Sequence, residues 1–259
     1  MRDSTDNYSE TDSAQTQKDS DARTRLLSEA GPVFARLGYD RSTLREICRA
    51  ANVNVASVGY YFGDKMGLYR AVVQQIRDAR ERRFPTPHNT SQADPTETLT
   101  RLIHTMLSRM VQGDESGWET QLLMREMDRP TVVFQELVND FFRPLFQQLQ
   151  STLDRIIDGP VEKHVLEQLS LSIVGQCLYY RIGRDVVGIL IPQDRRQEKF
   201  GIESLCQHIT AVTLSAAKNP DFMQQRGALA PVVEKLKTNA TSQDSSLTGK
   251  SASAKSKSE

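Results

Sequence analysis

Twelve Lys and Arg residues fall between Ala22 and Arg83: Arg23, Arg25, Arg36, Arg41, Arg45, Arg49, Lys65, Arg70, Arg77, Arg80, Arg82 and Arg83. They face six acids: Glu29, Asp40, Glu46, Asp64, Asp78 and Glu81. Guanidinium and ammonium groups at this density suit an anionic partner. The rest of the 259-residue chain does not share the excess. Residues 1–21 carry two bases and six acids, residues 84–238 carry 16 and 19, and the last 21 carry three and two, so the formal net charge is zero. A globally basic chromatin-type protein is excluded, whereas a local site for phosphate is not. Other chemistries lack their residues. Cys48, Cys177 and Cys206 have no CxxC spacing, so neither a zinc site nor a disulfide framework is expected. His104 and His164 have no ligand-spaced partners. With no nucleophile elbow, phosphate loop or paired catalytic carboxylates, we expect no catalytic residue, metal or cofactor, and hence no enzyme.

Helices must position these groups. Apolar residues recur at helical spacing and no period-two run is long enough for a strand, which predicts an all-α protein. Leu26, Ala30, Val33, Phe34 and Leu37 make the stripe of a first helix, in which Pro32 is expected to bring a kink or the loss of one hydrogen bond and which Gly38 stops. Thr43 and Glu46 form a capping box before a short helix that buries Leu44, Ile47, Cys48 and Ala51. Asn52 suits a left-handed turn. Asn54 then caps a helix from Val55 to about Tyr61, with Val58 and Phe62 inward. A fourth helix runs from near Asp64 to about Arg82.

After a polar linker from Phe84 to Ala93, Asp94 and Pro95 open a helix to about Gln112. Further helices are predicted from about Gly117 to Asp128, from Thr131 to about Asp158 with a kink at Pro144, from about Val161 to Leu190 and from about Glu198 to Ala217. A last piece covers Pro231 to Lys237. Residues 1–21 read as a solvated, disordered tail rather than a secretory signal, and residues 238–259 as a second tail. The longest apolar stretch, Val186 to Ile191, is far short of the ~20 residues that span a bilayer, so a cytoplasmic protein without membrane contact is expected.

Two short helices joined by a three-residue turn inside a basic region match a helix-turn-helix. A second helix with short outward side chains can enter a major groove about 12 Å wide while its neighbours offer basic and hydroxyl groups to phosphates. The stretch Thr43 to Leu68, TLREICRAANVNVASVGYYFGDKMGL, resembles the DNA-binding domain of TetR-family transcription regulators. Thr43, Ile47, Ala51, Tyr61-Phe62 and Lys65 carry the resemblance, which reaches back to Thr24. The sub-pattern NVASVGYYFGDKMGLY is closer to the branch typified by the regulator of cefoperazone and chloramphenicol sensitivity. Trp118 through Arg181, with MREMDRPT and GQCLYYR, also resembles that branch's C-terminal domain. Two positions depart from the family: Asn52 replaces the usual turn Gly, and Gly59 replaces a common Tyr, removing that Tyr's DNA contact.

The resemblance implies a three-helix helix-turn-helix domain over residues 22–68, with a connecting helix to about 83, and a helical ligand-binding and dimerisation domain over 84–237. It implies that Thr43, Tyr61 and Lys65 hold phosphates. Asn54, Val55, Ala56, Ser57, Gly59 and Tyr60 complete the expected DNA-binding set. None of the outward groove residues is Arg, Asn or Gln, so bidentate base recognition is not available to this helix. Readout falls to thymine-methyl contacts, a Ser hydrogen bond and DNA shape, with Arg41, Arg45 or Arg49 as candidate further readers. Trp118, Arg125, Tyr179 and Arg181 are the expected ligand-pocket members. The last two long helices form the expected homodimer seam through Val165, Leu166, Leu169, Ile173, Val174 and Leu178 on one and Ile202, Leu205, Ile209 and Val212 on the other. Ser170, Ser172 and Gly175 permit close approach. The expected function is a repressor released from a palindromic double-stranded operator by a small-molecule inducer. The alternative is a helical DNA-organising or protein-interaction module without an inducer, which predicts many sites and no small-molecule effect.

Overall fold

The computed structural model describes residues 7–87, 92–112 and 117–219, and it contains no strand among them. The helical piece expected over 231–237 and the second tail lie outside the described residues. Helix α1 (Asn7–Arg41) starts well inside the stretch expected as a tail. No Gly or Pro stands between Asn7 and Asp21, and extending a nucleated helix is far easier than starting one. Its path changes at Gly38, with φ 79 and ψ 168, and not at Pro32. Pro32 lies on the exposed side, while a positive φ takes the chain out of the helical region altogether.

Then follow α2 (Leu44–Ala51), α3 (Ala56–Phe62), α4 (Lys65–Arg83), α5 (Pro95–Val111) and α6 (Trp118–Asp128). The caps explain these boundaries. Asp64 accepts the Gly67 N–H at 2.7 Å to start α4, and Asp94 accepts the Glu97 N–H at 2.9 Å with Pro95 at the first position of α5.

In the C-terminal half two expectations are corrected, and the irregularity expected at Pro144 takes a specific form. The helix expected from Thr131 to Asp158 is α7 (Val132–Leu137), a π-helical turn (Val138–Phe142) and α8 (Arg143–Ile156). Pro144 would clash with the carbonyl of Asp140 in a regular helix, and the wider turn avoids this by bonding the Arg143 N–H to the Val138 carbonyl. The helix expected from Val161 to Leu190 divides at Gly183 into α9 (Lys163–Ile182) and α10 (Arg184–Leu190). A Cβ at Gly183 would lie 2.9 Å from the Tyr179 carbonyl oxygen. A separate α11 (Gln193–Lys199) precedes α12 (Ile202–Ala217), which begins after Gly201 and not near Glu198.

Buried side chains form two clusters. The first joins α1–α4 around the fully buried Leu26, Phe34, Ile47, Val58 and Leu68, and it also takes in Leu122 and Leu123 of α6 and Val133 and Leu137 of α7. The second joins α5, α8, α9 and α12, with Leu99, Leu102, Leu149, Ile173 and Ile209 inside. Each large apolar side chain so buried contributes roughly 1.5–3 kcal/mol. The first core therefore takes in elements beyond residue 84: α6 and α7 are built into the core that carries the helix-turn-helix. Among the described residues no helix is long and apolar enough to cross a membrane.

Candidate nucleic-acid interface

Local chemistry sets the geometry of α2 and α3. The Thr43 hydroxyl accepts the Glu46 N–H at 3.2 Å, as expected of an N-cap. The capping box is only half made, because the Glu46 carboxylate accepts instead from Arg36 Nη2 at 2.7 Å. Asn52 ends α2 in the left-handed region (φ 52, ψ 50) and donates its N–H to the Arg49 carbonyl. Asn54 Oδ1 accepts the Ala56 N–H at 2.8 Å, so it caps α3 as expected, though α3 runs one residue later than predicted at each end. Val58 is fully buried and anchors α3 on α1 and α4. Phe62 is half-buried, with the Arg23 guanidinium 5.4 Å from its ring centroid. Gly67 lets α4 come up against the end of α3, since a Cβ there would sit 1.9 Å from the Phe62 carbonyl oxygen.

The opposite side of α3 is left open. Val55 is 43% exposed and Tyr60 77%, Ala56 and Gly59 are exposed, and Ser57 and Tyr61 are half-buried. The Tyr60 and Tyr61 rings meet edge to face at 4.8 Å. The seven-residue helix thus buries Val58, rests Tyr61 and Phe62 partly against the core, and presents Ala56, Gly59 and Tyr60 outward, where packing within the protein gives no reason for them.

Much of the basic excess is neutralised within the fold. Arg25 bonds the Ala51 carbonyl and pairs with Asp21, and Arg36 pairs with Glu46. Arg70 pairs with Glu136, Arg77 with Asp78 and Asp140, and Arg80 with Glu119. Arg41, Arg45 and Arg49 are exposed with no partner among the described residues, and together with Thr43 they border α2 and its approach. Lys65 is folded onto the protein: its Nζ is 4.5 Å from the Tyr39 ring centroid and 3.5 Å from the Asp40 carbonyl oxygen. Burial lowers the pKa of this ammonium and the Asp40 charge partly restores it.

The four expected pocket residues do not assemble in one place. Trp118 packs on α1, where a Cβ at Gly31 would lie 2.4 Å from its ring. Arg125, two turns further along α6, donates from Nε to the Ala35 carbonyl at 2.7 Å and from Nη2 to the Arg36 carbonyl at 2.9 Å. Both residues tie α6 to the end of α1. Tyr179 (48% exposed) and Arg181 lie instead at the end of α9. A related contact has no local signal in the sequence. The Tyr69 hydroxyl of α4 donates to the buried Glu126 carboxylate, whose other oxygen accepts from the Thr131 N–H and hydroxyl. Burial, then this bond, holds the Tyr69 phenol above its ordinary pKa. A glycine in the middle of the first stripe, Gly31, is the sequence sign of the α1–α6 approach.

All three cysteines are buried, and burial pushes the Cys177 thiol up to about 12, so that thiol is not poised as a nucleophile.

Comparison with known proteins agrees with this geometry. Residues 26–72 match the model of bacterial regulatory proteins of the tetR family, and residues 95–217 match that of the C-terminal domain of the HTH-type transcriptional dual regulator CecR. The chain is 28% identical over 191 residues to the HTH-type transcriptional dual regulator CecR of Shigella flexneri, covering 67% of this chain and 82% of that one. The fold is similar to that of an engineered form of the hemolysin II transcriptional regulator HlyIIR, with TM-score 0.52, 20% identity, and 74% and 97% of the two chains covered. It is also similar to AibR, in a crystal structure with isovaleryl coenzyme A and operator DNA, with TM-score 0.50, 13% identity, and 74% and 97% covered. With both halves matched, and a helix-turn-helix whose outer face is left open, the chain belongs to the TetR family of transcriptional regulators.

Proposed function

We propose that this regulator is a homodimeric repressor that grips a palindromic operator with two copies of α3 and is released by a small molecule. The observation that carries the reading is the outward face of α3, with Val55, Ala56, Ser57, Gly59 and Tyr60 on a helix anchored by Val58 and preceded in the chain by the exposed Arg41, Arg45 and Arg49. Thr43, Asn54, Tyr61 and Lys65 complete the contact set, with Lys65 leaving the Tyr39 ring for a phosphate.

The dimer seam lies on α9 and α12, but not through most of the residues first expected there. Val165, Leu169, Ser170 and Ile173, with Ile202, Leu205 and Ile209, are buried inside the protomer. The faces left over carry Leu171 (58% exposed), Ser172, Gly175 and Val212 (44% exposed). A Cβ at Gly175 would meet nothing within 4 Å in the protomer, so its small size serves the approach of a partner helix. Two copies of α3 related by a twofold axis read an inverted repeat.

Release follows from linkage. A ligand that favours the DNA-incompetent arrangement weakens DNA binding by its own differential affinity. AibR, which shares the fold, was crystallised with an acyl coenzyme A and operator DNA, which supports the small-molecule reading. The route to α3 runs through α6, held to α1 by Trp118 and Arg125. The test is selection from a random duplex library by the full chain, followed by sequencing and by the mass of the complex. An inverted repeat bound by two chains is expected; enrichment of no sequence, or one chain on an asymmetric site, would contradict the reading.

A further inference from the structure

Glycine is among the least favourable residues in a helix interior, so each helical glycine needs a cause. At three glycines the cause is visible, whereas at Gly175 and Gly188 a Cβ would meet no atom closer than 3.7 Å. A Cβ would collide with the Trp118 ring at Gly31, with the Phe62 carbonyl at Gly67 and with the Tyr179 carbonyl at Gly183. Gly59 has no such cause: its φ is not positive, and an added Cβ would meet no heavy atom within 4 Å. It is exposed in the middle of α3, one turn after Val55 and Ala56 and beside the projecting Tyr60. The protomer has room for a methyl at Gly59, so a constraint on this position would come from outside it.

We infer that Gly59 is a specificity-determining notch in which a thymine methyl of the operator lies against the backbone of α3. The inference rests on the reading of α3 as the helix that enters the groove. The chemistry of the face selects the guest. With no Arg, Asn or Gln outward, α3 has no side chain for bidentate hydrogen bonding to a base, and the apolar feature of the major groove is the C5-methyl of thymine. Val55 and Ala56 wall the notch with methyl groups, and the gap between Gly and Ala is itself one methyl. A Cβ here would also hold the helix off the groove floor, so the position governs depth as well as fit.

The test compares the full-length wild-type chain with Gly59→Ala, and with Gly59→Ser as a second variant, on a duplex selected from a random library by the wild type. Without DNA, Gly59→Ala should raise the midpoint of thermal unfolding, by up to about 4 °C from helix propensity. On the selected duplex its affinity should fall about ten-fold, while affinity for scrambled DNA stays within about two-fold. Thymines of the half-site are then replaced one at a time by deoxyuridine. At one position the wild type should lose about five-fold and Gly59→Ala should lose nothing further, since the two methyls compete for one space. Unchanged affinity of both variants for the selected duplex, or additive losses at every thymine, would overturn the notch. A wild type that enriches no duplex would overturn the reading of α3 beneath it as well.

Discussion

The core around Phe34 and the core around Ile173 are held together by different means. In the second, buried hydroxyls bond their own helices, Thr98 to the Asp94 carbonyl, Thr152 to Gln148 and Thr213 to Ile209, so the helices are joined chiefly by apolar packing. In the first, elements far apart in sequence are keyed to one another by directed polar contacts: Arg125 to the carbonyls of α1, and Glu126 to Tyr69 of α4. The chain also crosses between the cores, leaving the first for α5, returning through α6 and α7, and leaving again after the π-helical turn. Packing by area tolerates small slides, whereas a keyed contact has few alternative positions. The difference teaches that α6 belongs to the core that carries α3, keyed to α1 and α4 on which α3 packs, although the match to the CecR C-terminal domain begins upstream of α6, at residue 95.

Breaking the crossing between the cores should have the largest effect. Arg109 of α5 is 5% exposed, donates to the Phe84 carbonyl and the Thr86 hydroxyl, pairs with Glu81 and lies 5.3 Å from the Phe141 ring centroid. Arg109→Ala should cost about 3 kcal/mol, read as a lower urea midpoint. Arg125→Ala comes next, at about 2 kcal/mol for two charge-assisted bonds to carbonyls. Trp118, the single tryptophan of the chain, sits at the same joint, so its emission should shift to the red in that variant. A loss below about 0.5 kcal/mol with unshifted emission would place α6 with the second core instead. Arg125→Lys should recover little, because one ammonium cannot reproduce the planar fork.

Thr43→Ala removes the cap of α2 and should cost about 1 kcal/mol, with hydrogen exchange rising in α2 before it rises in α9. The effect confined to the narrowest range of conditions is on pH dependence. Tyr69 in the folded chain keeps its proton above the ordinary 10.0. Above about pH 10 the unfolded chain has released that proton and the folded chain has not, so stability falls as pH rises, by at most about 1.4 kcal/mol per unit for this group. Urea midpoints through this range should decline less steeply in Tyr69→Phe.

Features set within a few residues were legible in the sequence. Thr43, Asn52, Asn54, Asp64 and the Asp94-Pro95 pair act within a turn of their own positions, and the structure has each in the role its type suggests. The buried stripe of α1 was legible for the same reason. What escaped depends on partners far along the chain. Glu46 looked like half of a capping box, yet Arg36, ten residues before it, takes its carboxylate. The basic excess suits an anionic partner by count alone, yet Arg70 and Arg80 answer acids on α7 and α6. Trp118 and Arg125 suit a ligand by residue type, and nothing at their own positions signals that Trp118 packs on Gly31 or that Arg125 bonds the α1 carbonyls beside a cavity it also lines. The break at Gly183 could have been read from the glycine alone, since the helical pattern runs on past it.

The most direct test of sequence-specific regulation through α3 is fluorescence anisotropy of the full chain on the selected duplex and on scrambled DNA across a series of salt concentrations. The account predicts two chains per duplex and an affinity ratio of ~10³ or more, with scrambled binding fading faster as salt rises. Equal affinities with the same salt dependence on both duplexes would contradict it and leave a DNA-organising module in its place.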